Sequence, residues 1–526
     1  MRGSSIGGRR ACPLADKPGL NKKGNNWGWA MSKVILRRCG SLCCLLFAVL
    51  AMVGFMGNAG HAAGKGLFPL GDVQEVPRLS DKPVPYAVVP DRPAMPIELG
   101  CKFLGNGNLP KGIKLPTGAV WTPCLWVFGT YRTAFQTYDG VGSTDRITEW
   151  SHRLDIFTDL QLTHSEKCIV GIAPLDENRG ANFTGYTFDS PNKSDGWRFE
   201  SGVHVRALFC EGDFGSLFPN LDLMGTKLID FGFAVGRHNI NFQQGILIND
   251  VLDSVGLVRN NLYAPGFSSI RITGLWAWDS IDRGTSANRR RLNESGLFGL
   301  FAQADTIAST LALDMITIQD DDRDETGGDG YWIGLSAIQR GFEPWRGIGE
   351  INSTYRINAS ISGGDDTPQV TDGVLLSAEF SWTPHASDDI VYVNPFIGIN
   401  RYSQAGREPI AGGPLAAFGI SFAGNGLGNY GTELSGFNTE VVGVAVGYQA
   451  FWDNHRRNLV LEVAGVKDAS RNLFDTDGAG TDGVAFSAQF QQAIGQRVQL
   501  QIDGFVSYLE GQDNGSGARI ELLTRF

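Results

Sequence analysis

From Trp126 onward the chain alternates apolar and polar residues with a period of two. Near the end, Ile520, Leu522, Thr524 and Phe526 share one face, while Arg519, Glu521, Leu523 and Arg525 share the other. Val498, Leu500, Ile502, Val506 and Tyr508 likewise oppose Arg497, Gln499, Gln501, Asp503 and Ser507. The same holds for Leu154, Ile156, Leu160 and Leu162 against Arg153, Asp155, Asp159 and Gln161. Tyr355, Ile357 and Ile361 oppose Arg356, Asn358 and Ser360. Successive side chains of a strand point to opposite faces, so each segment reads as a strand with one apolar and one polar face. The pattern predicts strands at 126–137, 150–163, 168–177, 203–215, 228–238, 251–260, 267–281, 296–306 and 309–319. It continues at 331–340, 349–361, 373–383, 389–401, 437–451, 457–467, 483–493, 496–508 and 517–526. That makes about 18 strands, with 16 as the alternative because 251–260 and 402–435 carry the poorest pattern.

A soluble sandwich alternates too, and the connections separate the two cases. Turns such as His164–Glu166, Asp453–His455 and Gly495–Gln496 are short, whereas 283–294, 320–330, 402–435 and 468–482 are long and polar. Short turns on one side and long loops on the other mark a transmembrane barrel with lipid-facing apolar and lumen-facing polar residues. A bilayer leaves an open sheet edge unsatisfied, so such a sheet must close. The predicted fold class is an all-β, antiparallel up-and-down transmembrane barrel. Aromatics near strand ends, such as Trp276, Trp278, Tyr448, Trp452 and Tyr508, suit the two water–lipid interfaces.

Before the barrel the pattern changes twice. Lys33, Arg37 and Arg38 precede an apolar run from Leu42 to Met56, followed by small residues through Ala63. This order is that of a secretory signal, with cleavage expected after Ala62 or Ala63. Met31 sits just ahead of the basic residues, so 1–63 is read as an N-terminal extension plus signal peptide; an uncleaved anchor is the alternative. Residues 64–125 are Pro-rich and lack alternation. They read as an irregular periplasmic lead-in that plugs the lumen, docks a partner or serves as a tether. The barrel domain is then 126–526.

Composition adds limits. The 526 residues include 69 Gly, 8 Cys and 7 His, with 45 Lys+Arg against 55 Asp+Glu. A formal charge of −10 lacks the basic footprint that nucleic acid requires. Beyond the expected signal no Gly-x-Ser-x-Gly, His-Glu-x-x-His or Gly-x-x-x-x-Gly-Lys motif occurs, and no enzymatic activity, metal or cofactor is expected. Four cysteines lie beyond the signal: Cys101, Cys124, Cys168 and Cys210. An oxidising compartment permits two disulfides. Cys101–Cys124 would staple the lead-in. Cys168–Cys210 would join two adjacent antiparallel strands near their periplasmic end, with free thiols as the alternative.

Strand parity nominates lumen-facing charges: Arg153, Asp155, Asp159, His204, Arg206, Arg271, Arg356, Glu379, Asp503, Arg519 and Glu521. Opposed guanidinium and carboxylate rows would set up a transverse field favouring small polar or zwitterionic solutes. The alternative is that these charges pair along the wall and stiffen it. Arg289–Arg291 in an external loop suits lipopolysaccharide phosphate or plain solvent. The acidic stretches Asp320–Glu325 and Asp475–Asp482 suit calcium or plain solvent.

Phe526 closing an alternating final strand, behind a signal peptide, resembles Gram-negative outer-membrane proteins inserted by the barrel-assembly machinery. Val235-Gly236-Arg237-His238, Gly245-Ile246-Leu247-Ile248-Asn249-Asp250 and Leu252-Asp253-Ser254-Val255 resemble the strand–inturned-loop–strand segment of alginate-export-type and related substrate-selective porins. That resemblance implies 16 to 18 strands and a basic constriction, with Arg237 and Asp253 flanking it. The expected activity is passive passage of small polar or charged solutes through the outer membrane. Surrounding lipid and lipopolysaccharide are the expected partners, and a homo-oligomer is compatible with the pattern. A polysaccharide exporter, with a lumen lined by Arg and Lys, is the alternative within transport. A scaffold sheathing a partner protein is the alternative outside it.

Overall fold

The computed structural model describes residues 95–526 except 104–111, 140–145, 177–182, 191–194, 223–228, 280, 284–289, 293–294, 321–327, 344–348, 365–369, 385–386, 409–410, 425, 429, 433, 435–439 and 470–481. The expected signal segment and residues 64–94 therefore lie outside the described residues. So do Arg289 and most of both acidic stretches.

Among the described residues eighteen strands form the barrel wall. They begin with β1 (Cys124–Asp139), β2 (Arg146–Gln161), β3 (Lys167–Ala173), β4 (His204–Asp213), β5 (Gly232–Phe242) and β6 (Ile248–Ala264). Next come β7 (Phe267–Asp279), β8 (Ser295–Asp305), β9 (Ser309–Asp320), β10 (Gly330–Phe342), β11 (Gly349–Ser362) and β12 (Gly373–Pro384). The last six are β13 (Ile390–Asn400), β14 (Val441–Trp452), β15 (Arg457–Asp468), β16 (Gly483–Ile494), β17 (Val498–Leu509) and β18 (Gly515–Arg525). Each is antiparallel to the next, and β18 returns to β1 from Gly517↔Tyr138 to Arg525↔Thr130. Closure joins the last strand to the first and so removes the open sheet edge that a bilayer would leave unsatisfied. Phe526 completes the seam: its N–H donates to the Gly129 carbonyl at 3.0 Å and its carbonyl accepts from Gly129 at 2.9 Å. Below it, Ile97–Leu99 pairs with Leu125–Val127 and occupies the same flank of β1.

The two faces follow the alternation. Ile520, Val506, Ile357, Val446 and Leu461 are exposed on the outer wall, while Ala134, Ala277, Leu297, Ala445 and Ala485 are wholly or almost wholly buried inside. Trp276, Trp278 and Phe298 sit outward near the long-loop end, and Tyr448 and Trp452 near the short-turn end. Aromatic residues at both rims of an apolar belt are the interfacial girdles of a membrane barrel.

The departures from the sequence pattern are informative. β3 stops at Ala173, short of the expected 177, and the upper half of β2 pairs instead with Thr184–Asp189. A register shift between Gly171 and Ile172 puts an extra residue into β4 around Arg206. β5 runs to Phe242, not to 238, and β6 begins at Ile248. The 402–435 stretch, expected as an outer loop, instead folds into the barrel. Its Leu415, Phe418 and Phe422 join Ile246, Leu247, Leu252, Trp332, Leu375 and Phe396 in one buried cluster. A wide barrel leaves an interior that its own wall residues cannot fill, so an apolar loop is buried there.

Both cysteine pairs are disulfides. Cys101–Cys124 has a Cα separation of 5.4 Å, and Cys168–Cys210 one of 4.0 Å across directly paired positions of β3 and β4. The first holds the Cys101 carbonyl over Trp126, whose indole N–H donates to it at 3.0 Å. The second lies on the outer wall, in register with exposed Leu160 and Val235.

Candidate functional site: the charged lumen

One arc of the inner wall is built from paired charges. Arg519 on β18 donates to Asp503 on β17 at 3.2 Å and also bonds Glu521. Glu521 receives Arg132 of β1 at 2.5 Å. Arg132 stands directly across from Arg153 of β2, which donates to Asp155 at 2.8 Å. Arg206 of β4 reaches Asp155 at 3.4 Å, Asp176 at 2.6 Å and Glu408 at 2.5 Å. The row thus runs from β17 across the closure seam to β4, mixing guanidinium and carboxylate, with the Arg132 and Arg153 guanidinia side by side on β1 and β2. Regular parity places most of these side chains inward, and the irregularity in β4 brings Arg206 in with them.

Further round, Arg356 of β11 bonds Glu379 of β12, and Asp314 of β9 accepts from Gln243 at 2.6 Å. Lys167 and Glu211 pair at 2.9 Å, and inward Arg271 donates to Asn260 at 2.9 Å. Asp159 shares the inward face of β2 with Arg153 and Asp155, and His204 stands 3.8 Å from Asp176. A cavity of about 530 Å³ opens towards the short-turn end, lined among others by Glu211, Asp213, His238, Phe242, Val258 and Asn260.

Two candidates are corrected. Arg237 and Asp253 pair at 2.5 Å, but on the outer wall. Arg237 shares its face with Val235, 44% exposed, and Asp253 with Val255 and exposed Leu257; Leu252 and Ser254 beside it are fully buried on the lumen side. The chain turns inward only at Gln243, so His238 and Ile240 carry the inward parity at this level. A register shift opposite Asp253 sets the pair next to outward Trp278, at the girdle, where water reaches a charge.

The inward turn itself is Gln243–Leu247, with Ile246 and Leu247 fully buried. The long 401–440 segment leans on it. Tyr402 donates to the Ile246 carbonyl at 3.0 Å, Gly406–Arg407 pairs in parallel with Ile248–Asn249, and Arg407 bonds the Gly245 carbonyl. Burial in this apolar setting pushes the Tyr402 hydroxyl well above its ordinary pKa, so it stays a donor. The segment then crosses to the opposite wall. Glu462 of β15 accepts the N–H groups of Ile420 at 2.9 Å and Ser421 at 2.7 Å, and the Tyr392 hydroxyl as well. Arg153 donates to the Gly426 carbonyl at 2.9 Å, and Tyr430 packs edge-on against Tyr138 and Phe505.

Parity could have nominated Arg132, Glu149 and Glu462, which share the inward face of their strands. Asp176 and Glu408 lie on connections, where no periodicity applies.

No protein-family model matches the chain, and no curated protein matches it. Solved structures do share the fold. OccK1 (OpdK) of Pseudomonas aeruginosa superposes with a TM-score of 0.51 at 10% identity, over 76% of this chain and 98% of that chain. OccK11 (OpdR) of the same organism gives 0.50 at 9% identity, over 76% and 96%. OpdK with vanillate also gives 0.50 at 9%, over 76% and 98%. These neighbours do not carry the resemblance of Val235–Val255 to alginate-export-type channels. What they share with this chain is the fold: a closed antiparallel β-barrel, of eighteen strands here.

Proposed function

We propose that the protein is an outer-membrane channel through which small polar or charged solutes pass passively. The observation that carries this reading is the barrel's inner wall: a charged arc spanning β17, β18, β1, β2 and β4 inside a cylinder whose outer wall is apolar. Barrels of 16 to 18 strands are wide enough to leave an aqueous path, and wall charges then set selectivity. The short-turn end, where Phe526 closes the seam, is taken as periplasmic. Guanidinia and carboxylates are interleaved along the arc, which suits polar solutes carrying both signs better than a polyanion, which calls for an Arg/Lys lining. Lipid and lipopolysaccharide would surround the apolar belt, and Phe526 would serve the assembly machinery.

Reconstitution in planar bilayers tests the reading. Stepwise openings, together with swelling of protein-loaded liposomes in small polar solutes, are the expected result. Silent bilayers and unswollen liposomes from correctly folded protein would overturn it.

A further inference from the structure

The tip of the lumen segment, Gly426-Leu427-Gly428, lies against the charged arc with its backbone, and its placement resembles that of a bound anion. Arg153 spends Nε and Nη2 on Asp155, at 2.8 and 3.2 Å, and turns Nη1 to the Gly426 carbonyl at 2.9 Å. A Cβ built on Gly426 would stand 3.5 Å from both Arg153 Nη1 and Arg132 Nη1, so this backbone sits between the two guanidinia. Gln136, fully buried, donates to the Leu427 carbonyl at 3.5 Å. Both glycines have left-handed φ, 63° and 72°, and a side chain at 428 would collide with the Gln136 amide and come within 2.7 Å of Glu149 Oε1. The Leu427 side chain is buried with Ala134 and Phe183. Carbonyl oxygens carry only partial charge, whereas a carboxylate or phosphate oxygen makes a shorter and roughly twice stronger bond to a guanidinium.

We propose that the Gly426–Gly428 tip is a built-in occupant of an oxyanion site formed by Arg132 and Arg153, and that an incoming anionic group displaces it. The inference rests on the channel reading above. The site takes a carboxylate or phosphate oxygen between the two guanidinia. The seated tip narrows the path beside β1 and β2, and its release opens that path. The solute thereby competes with the loop for the same donors, which couples occupancy to conductance.

Gly428→Val tests this without touching either arginine. It should unseat the tip, raise mean conductance severalfold and abolish any response to added acetate. Gly431→Ala is the control, because a Cβ there meets nothing closer than 3.9 Å; it should behave as wild type. In unaltered protein, sodium acetate or sodium phosphate at constant ionic strength should speed amide exchange at 426–430, and a neutral sugar should not. If acetate alone acts, the site takes carboxylates; if phosphate alone acts, it takes phosphates. Wild-type conductance shared by a correctly folded Gly428→Val protein overturns the proposal and leaves the channel reading intact. Unchanged exchange with both anions overturns it whether or not the valine variant folds. A wild-type protein that never conducts sinks the channel reading instead.

Discussion

Glu462 is the joint between the lumen segment and the wall, and its removal has a calculable effect. Its carboxylate accepts two backbone N–H groups, of Ile420 and Ser421, and the Tyr392 hydroxyl, and the side chain is 3% exposed. Hydrogen bonds to a charged acceptor contribute about 1.5–3 kcal/mol each; only the Ile420 and Ser421 bonds join the segment to the wall, since Tyr392 belongs to the wall itself, so at the low end, with freed donors regaining water, two give about 3 kcal/mol. At about 1.4 kcal/mol per tenfold, Glu462→Ala should shift the docked-to-free equilibrium of residues 418–424 by roughly a hundredfold. Glu462→Gln keeps an acceptor oxygen and should fall between. Amide exchange at Ile420 and Ser421, read by mass spectrometry in detergent, reports the shift directly. Wild-type protection in the alanine variant, with the barrel intact by heat-modified gel mobility, would refute the assignment of Glu462 as the anchor.

Removing Cys168 and Cys210 together opens a covalent loop whose ends are 42 residues apart, which the chain-entropy model puts at about 4 kcal/mol. The urea midpoint of the double alanine variant should fall, and an unchanged midpoint would contradict this. Arg206→Gln removes the cation paired with Asp176 and Glu408 and leaves Asp155 with Arg153 alone, so the reversal potential in a KCl gradient should move toward cation selectivity. Arg237→Ala with Asp253→Ala, on the outer wall, should leave that potential unmoved; a shift would return the pair to the lumen. Burial raises the Asp176 carboxyl above its ordinary range despite the opposing pull of Arg206. Falling pH should therefore neutralise Asp176 before solvent-exposed carboxylates and increase anion preference, a step absent from Asp176→Asn.

Much of the site was legible because parity is a local property. Arg153, Asp155, Asp503, Arg356 and Arg519 face inward for the same reason that Ile156, Ile502, Ile357 and Ile520 face out: in a strand, neighbours oppose. Parity fails wherever the count of residues is interrupted. Arg206 comes inward at an irregularity, and Arg237 stays outward because β5 continues five residues past it before the chain turns at Gln243.

Alternation and short turns thus determined a closed membrane barrel of about eighteen strands and the facing of charges on its regular strands, since each depends only on neighbours along the chain. Tertiary structure alone decided that 401–440 lies inside the wall, that Glu408 and Asp176 converge on Arg206, and that the Gly426 carbonyl meets Arg153. The physical reason is distance along the chain. Gly426 and Arg153 are 273 residues apart, and only closure of β18 on β1 creates the interior in which a loop from β13 can reach β2.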